Sequence, residues 1–186
     1  MLNDLSFEEV LCRTCSKVEM QAITEVVCQH PERINEVWAL ANSSIPNAWR
    51  AAWALAHINE KNSQLLIPYL AEIADIVTTT KNLSIKRELL KILILHPLPD
   101  EPSGVLLDSC FETVTSNLVP VGLRMYAMSM VAKYCDKYPE LIPEFVAVLE
   151  TILAEPPSVG MKGWASRLVQ QLSQNKKLNG NRRKRL

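Results

Sequence analysis

A basic residue recurs at nearly constant spacing along this chain of 186 residues. Its positions, separated by 37, 37 and 38 residues, are Arg50, Arg87, Arg124 and Lys162. The neighbouring residues repeat with it, as NAWRAAWALAHI at 47–58, IKRELLKILIL at 85–95, GLRMYAMSMVA at 122–132 and GMKGWASRLVQ at 160–170. A period of roughly 20–50 residues is typical of solenoids, in which each unit buries its apolar face on the next. The spacing therefore predicts a chain of stacked structural repeats.

The repeated stretches have the apolar pattern of helices. Their apolar residues follow the i, i+3, i+4, i+7 spacing of a helix with one buried face. The helices between them share a proline, at Pro68 and Pro143, 75 residues apart. Caps at Ser6 and Ser16 and prolines at helix starts divide the chain into ten helices. From the third onward these alternate between A helices (three, five, seven, nine) and B helices (four, six, eight, ten), and the first two form a degenerate leading unit.

The two helix types resemble those of the HEAT family of α-solenoids. The resemblance rests on LIPYL (66–70) and LIPEF (141–145) in A helices, and on WRAAWAL (49–55) and LRMYAM (123–128) in B helices. It covers residues 31–173 and implies an all-α, right-handed α-α superhelix of HEAT-like helical hairpins. The Trp- and Arg-rich B helices are also similar to the HEAT-like domains of DNA alkylation-repair glycosylases.

The acidic residue that commonly partners the B-helix arginine in this family is missing. The nearest side chains in its place are the amides of Asn82 and Asn117. Backbone carbonyls at the ends of A helices are the other candidates, because these carbonyls lack partners within their own helix. We interpret Arg50, Arg87, Arg124 and Lys162 as a structural ladder rather than an anion-binding site. A base near a helix N-terminus opposes the helix dipole, so contacts across repeats are the expected reason for keeping it.

Charge is unevenly distributed along the chain. Residues 176–186 contain six bases and no acid, whereas the other 175 residues contain 14 bases and 20 acids and carry a net charge of −6. We expect one HEAT-like repeat domain over residues 1–175 and a disordered basic tail over 176–186. Within the domain, the 14 bases are expected to be spread over nearly every helix.

Several features predict a cytoplasmic protein. No apolar run reaches the roughly 18 residues needed to cross a bilayer. The first residues carry acids where a signal peptide needs bases. Five cysteines cannot all pair with one another, so we interpret them as free thiols of a reducing compartment.

Residues that could carry chemistry do not form a catalytic or metal-binding pattern. Cys12 and Cys15 have a metal or redox spacing, but a second pair and a nearby histidine are lacking, so we interpret them as buried thiols. His30, His57 and His96 do not form a ligand set. The motifs GxSxG, HExxH, GxxxxGKS and GxGxxG are absent. We therefore expect no enzymatic activity, no metal and no cofactor.

The tryptophans could stack on nucleic-acid bases, but they fall in the apolar stripes of their helices. We therefore expect core packing for all four, Trp38, Trp49, Trp53 and Trp164. The B-helix stripe opposite the core is expected to contain Ala54, His57, Lys91, Ile94, Met125, Met128 and Val131. Four of these are the candidate partner contacts, His57, Lys91, Met125 and Met128.

The resulting hypothesis is a non-catalytic scaffold that binds a protein or peptide along a concave face lined by B helices. The alternative is a DNA-binding or DNA-repair protein of the alkylation-repair type. Such a protein needs a strongly basic groove, and a body charge of −6 argues against it. Nucleic acid is then expected to bind only weakly, through the basic tail and with strong salt dependence. The sequence leaves the oligomeric state open.

Overall fold

The computed structural model describes residues 6–13, 15–154 and 158–174 of the chain. In that part of the chain all regular structure is helical, which confirms the all-α prediction. The predicted disordered tail, 176–186, lies outside the described residues. The chain groups into two compact units, Met1–His96 and Pro97–Leu186. The single repeat domain over residues 1–175 stays a prediction, and each unit is described below by itself.

The described residues of the first unit, 6–13 and 15–96, contain six α-helices. They are α1 (Phe7–Cys12), α2 (Lys17–Gln29), α3 (Ile34–Ala41), α4 (Ala48–Lys61), α5 (Leu70–Thr79) and α6 (Leu83–Leu95). Two 3₁₀ segments precede α3 and α5, namely Pro31–Arg33 and Ser63–Tyr69. The sequence predicts a fifth helix that starts near Ser63, the first residue of the second 3₁₀ segment. The helix α5 begins instead at Leu70, since Pro68 lacks the N–H that an α-helical turn needs and the tighter 3₁₀ turns accommodate it.

In the second unit, the part of the chain that the structure describes (97–154 and 158–174) contains four α-helices. They are α7 (Gly104–Thr115), α8 (Val121–Lys137), α9 (Ile142–Ala154) and α10 (Val159–Ser173). A 3₁₀ turn, Pro139–Leu141, leads into α9. A helices are therefore α3, α5, α7 and α9, and B helices are α4, α6, α8 and α10, as predicted from the repeat.

Local signals in the sequence account for several helix starts. The Ser16 hydroxyl accepts a hydrogen bond from the Glu19 N–H at 3.2 Å, and the Glu19 carboxylate accepts one from the Ser16 N–H at 2.8 Å. This completed capping box confirms the predicted start of α2. Ser6 caps α1 through its hydroxyl, which accepts a hydrogen bond from the Glu9 N–H at 3.3 Å. The sequence predicts a first helix that runs to about Cys15, whereas α1 ends at Cys12.

The centre of the first unit is α4, which packs against α2, α3 and α6. Eight of its fourteen residues are buried. Five of those are alanines, and such small side chains allow neighbouring helices to approach closely. A buried hydrogen bond of 2.6 Å joins Asn59 near the end of α4 to His96, which follows α6. These two residues are 37 positions apart, so the contact links equivalent ends of successive B helices.

The centre of the second unit is α8, which packs against α7, α9 and α10. The Tyr134 hydroxyl donates to the carbonyl of Ser103, the residue that caps α7, at 2.8 Å. Burial raises the pKa of Tyr134 to about 12, so its hydroxyl keeps this donor proton across the neutral range. The rings of Phe111 and Phe145 meet edge to face with centroids 5.9 Å apart, which joins α7 to α9.

The substitution Phe145→Ala tests the packing of the second unit. Phe145 is fully buried, so we expect its truncation to lower the free energy of unfolding by about 3–5 kcal/mol. The matched control is Val159→Ala, since this side chain is almost fully exposed and its truncation should change stability by less than about 0.5 kcal/mol. Urea unfolding followed by circular dichroism measures both. Equal losses for the two variants would contradict the assigned packing.

Candidate partner-binding surface

Charge separates by helix type in the described chain. The four B helices contain ten bases and three acids, a net charge of +7. The four A helices with their preceding 3₁₀ segments contain nine acids and one base, a net charge of −8. The expectation that bases are spread over nearly every helix is therefore wrong. Although residues 1–175 carry a net charge of −6, their B helices are basic.

We call Arg50, Arg87, Arg124 and Lys162 the basic column. Two of its members bind backbone carbonyls at helix ends. Arg124 is buried, and its Nε donates to the carbonyl of Val114 near the end of α7 at 2.9 Å. Its Nη1 donates to the Asn117 side-chain oxygen at 3.1 Å. Arg50 donates through Nη1 to the carbonyls of Leu11, at 3.2 Å, and Arg13 at the end of α1. Each guanidinium thus supplies donors to carbonyls that lack intrahelical partners, and its charge favours the negative end of that helix dipole.

The other two members of the column make different contacts. Arg87 bonds to the carboxylate of its neighbour Glu88, with both Nε and Nη2 at 2.8 Å from Oε1. Lys162 lies exposed near the start of α10. The four positions therefore fall near the starts of their helices, but Arg50 and Arg124 bind carbonyls, Arg87 binds a carboxylate and Lys162 is exposed.

A further lysine on α8 also binds backbone carbonyls. Lys137 Nζ donates to the carbonyls of Pro99, at 2.5 Å, and Asp100, at 2.8 Å, in the segment before α7. A cation bound to main-chain carbonyls holds that proline-rich segment against the end of α8. Much of the positive charge of the B helices is thus engaged within the fold.

The accessible side of α4 carries a row of aromatic rings. Trp49 and Trp53 stack with ring centroids 6.4 Å apart, and His57 meets Trp53 edge-on at 5.4 Å. Six residues of α4 escape burial, namely Trp49, Arg50, Trp53, His57, Glu60 and Lys61. We call Trp49, Trp53 and His57 the aromatic row. Spacing of four residues places the three rings on one face of the helix.

The tryptophans do not occupy the positions expected of them. None of the four is buried, since each has an intermediate exposure, so the expectation of core packing is wrong. On α4 the core positions belong to alanines, Leu55 and Ile58, which are small or flexible enough for the narrow gaps between helices. Trp38 packs against Tyr69, with ring centroids 4.7 Å apart, and Trp164 lies beneath the guanidinium of Arg167.

The predicted partner contacts fall in different environments. The side chains of His57 and Lys91 are 41% and 20% exposed, respectively. Met125 is partly exposed, whereas Met128 is 0% exposed and belongs to the core. Two other members of the predicted stripe, Ala54 and Val131, are also fully buried. The accessible stripe of α4 is therefore the one that contains the tryptophans, about a quarter turn from the stripe predicted.

A buried carboxylate organises the accessible side of α6. Glu88 is 1% exposed, and its two oxygens are bound by Arg87 and, at 2.5 Å, by Lys91 Nζ. The Arg87 side chain is itself 39% exposed. A buried carboxylate needs such partners because desolvation of an unpaired charge is costly. Glu88 consequently holds two basic side chains at the surface of α6.

An open depression of about 310 Å³ lies between α2 and α4, beside His57 of the aromatic row. Its lining residues come from α2 and α4, namely Gln21, Thr24, Glu25, His57, Glu60 and Lys61. Lys61 Nζ lies 3.7 Å from a Glu25 oxygen, and His57 Nδ1 lies 3.8 Å from a Glu60 oxygen. The helix α4, which carries the aromatic row, thus packs against the basic α6, and His57 of the row also lines this partly acidic depression.

Cys12 is exposed and Cys15 is partly exposed, so the expectation that both are buried thiols is wrong. Burial, and next the carboxylate of Glu19, raises the pKa of the Cys15 thiol. Burial also raises the pKa of Cys135 to about 12, so both thiols stay protonated and weakly nucleophilic. Among the described residues, no group of three or more His, Cys, Asp or Glu could hold a metal ion. In the same part of the chain, no helix is long and apolar enough to cross a membrane.

These helices define a helical-repeat protein. A family model described as a HEAT repeat domain matches residues 7–172. The chain therefore belongs to the HEAT repeat family, whose helical scaffolds commonly interact with proteins. Comparison with curated proteins and with solved structures found no match.

Substitutions in the basic column test which of its members support the fold. Arg124→Met leaves the Val114 carbonyl without its donor, so the free energy of unfolding should fall by about 1–3 kcal/mol. Lys162→Met removes a base of the same column from an exposed site and should change stability by less than about 0.5 kcal/mol. Native-state hydrogen exchange of α7 and α8 amides measures the first effect, and that of α10 amides the second. A larger loss for Lys162→Met than for Arg124→Met would overturn the assignment.

Proposed function

We propose that this protein is a non-catalytic HEAT-repeat scaffold that binds a protein or peptide on the accessible B-helix side of its first unit. The observation that carries the proposal is the aromatic row on α4. Indole rings that remain partly in water can bury much more surface when a partner covers them, and tryptophan is enriched among the residues that dominate binding energy. The partly exposed His57, beside them, lies on the same side of α4.

Neighbouring helices extend this surface. The A helix α3 packs on α4, and the A helix α5 packs on α6, so each B helix is covered on one side. We take the accessible residues of α4 and α6 as one surface, because these two helices pack against each other. The surface thus combines the aromatic row with Arg87 and Lys91, a polar rim around an apolar centre that is typical of protein interfaces.

DNA binding is the second candidate, and the basic character of the B helices favours it. The contacts of those bases weigh against it. Arg50, Arg124 and Lys137 donate to backbone carbonyls, so these three bases are engaged within the fold. Phosphate contacts would have to compete with these bonds. Weak binding through the basic tail, residues 176–186, and a cytoplasmic location remain parts of the proposal that rest on the sequence.

Selection from a random peptide library tests the proposal. Peptides selected on the intact protein should lose at least about 10-fold in affinity for Trp53→Ala, as hot-spot residues do on truncation. Trp38→Ala is the matched control, since it removes another partly exposed tryptophan from the A helix α3. Circular dichroism verifies that both variants are folded. Selected peptides that bind the Trp53 variant as well as the wild type would refute this site.

A further inference from the structure

We infer that the surface formed by the aromatic row and the Arg87–Glu88–Lys91 cluster takes an acidic peptide segment with apolar anchor residues. This inference rests on the proposed function and adds the chemistry of the partner. The occupant it names is a polypeptide, because the centre of the surface is aromatic and its basic side chains are paired, whereas a phosphate backbone requires a continuous basic track.

The charge on α6 supports an acidic occupant. This helix carries Lys86, Arg87 and Lys91 against one acid, Glu88, so its net charge is +2. Glu88 is buried, whereas the bases it binds are partly exposed. The charge that meets a partner here is therefore positive. Complementary acids on the partner would accept hydrogen bonds from these bases and would speed association through electrostatic attraction.

The buried carboxylate also orients its partners. Arg87 binds one Glu88 oxygen through Nε and Nη2, and Lys91 binds the other. A guanidinium fixed in this way has lost much of its rotational freedom before the partner arrives. Because ordering of long side chains opposes binding, such preorganisation lowers the entropic cost of contacting a partner carboxylate.

The acidic residues at the opposite edge of the surface determine which end of the bound segment lies over α6. Glu25 and Glu60 border the depression beside His57, and Lys61 lies close to Glu25. Acids of a bound segment are disfavoured at this corner, since like charges repel. The acidic part of the segment should therefore lie over α6, with its apolar anchors on Trp49 and Trp53.

The composition of the selected peptides tests this inference. Peptides that require Trp53 should be enriched in Asp and Glu and in large apolar residues, and depleted in Lys and Arg. Their affinity should fall as the salt concentration rises, because the attraction is between charges that salt screens. A set of Trp53-dependent peptides that is neutral or basic would overturn the acidic partner while leaving the proposed function intact. Peptides that bind independently of Trp53 would overturn both.

Single charge removals localise the acidic end of the segment. Arg87→Gln and Lys91→Gln each leave Glu88 with one basic partner, so both variants should fold, which circular dichroism verifies. Each should weaken acidic-peptide binding by about 5–10-fold, whereas Lys162→Gln, which removes one base from α10, should weaken it less than about 2-fold. Equal effects of the three substitutions would overturn the localisation. A single-stranded dT20 oligonucleotide that binds more tightly than the peptides, and loses affinity on the same variants, would replace the peptide with nucleic acid.

Discussion

Contacts between basic side chains and backbone carbonyls connect the helices of this protein. Arg50 reaches the end of α1, Arg124 reaches the end of α7, and Lys137 holds the segment before α7. Carbonyls at helix ends need donors, and a cation satisfies both the hydrogen bond and the dipole. The B helices supply these cations, and Arg50, Arg124 and Lys137 account for three of the ten bases on those helices.

The same contacts fix which side of α4 faces outward. With Arg50 bound to the end of α1 and eight residues buried among neighbouring helices, the indoles of Trp49 and Trp53 are left at the surface. An aromatic centre and a basic flank are then properties of one accessible surface in the first unit. The two proposals for its partner follow from these two properties, polypeptide binding from the aromatic row and acidity from the basic cluster around Glu88.

Helix order and type could be predicted from the sequence, because the 37-residue period, the cap at Ser16 and the prolines each have a local physical cause. The orientation of α4 about its own axis could not. Alanines occur on nearly every side of α4. An apolar stripe alone therefore does not distinguish the tryptophan side from the side of Ala54. A count of charges by helix type would have revealed the basic B helices. The burial of Glu88 and Met128 depends on tertiary packing, which local pattern does not specify.

Hydroxyl-radical footprinting read by mass spectrometry tests the orientation of the B helices most directly. Met125 and Met128 lie three residues apart on α8, so they form an internal pair with equal intrinsic reactivity. We predict that Trp49, Trp53 and Met125 are oxidised several-fold faster than Met128 in the folded protein, with all rates normalised to the unfolded chain. Oxidation of Met128 as fast as that of Met125, together with protection of Trp49 and Trp53, would place the tryptophans in the core and contradict the surface proposed for the partner.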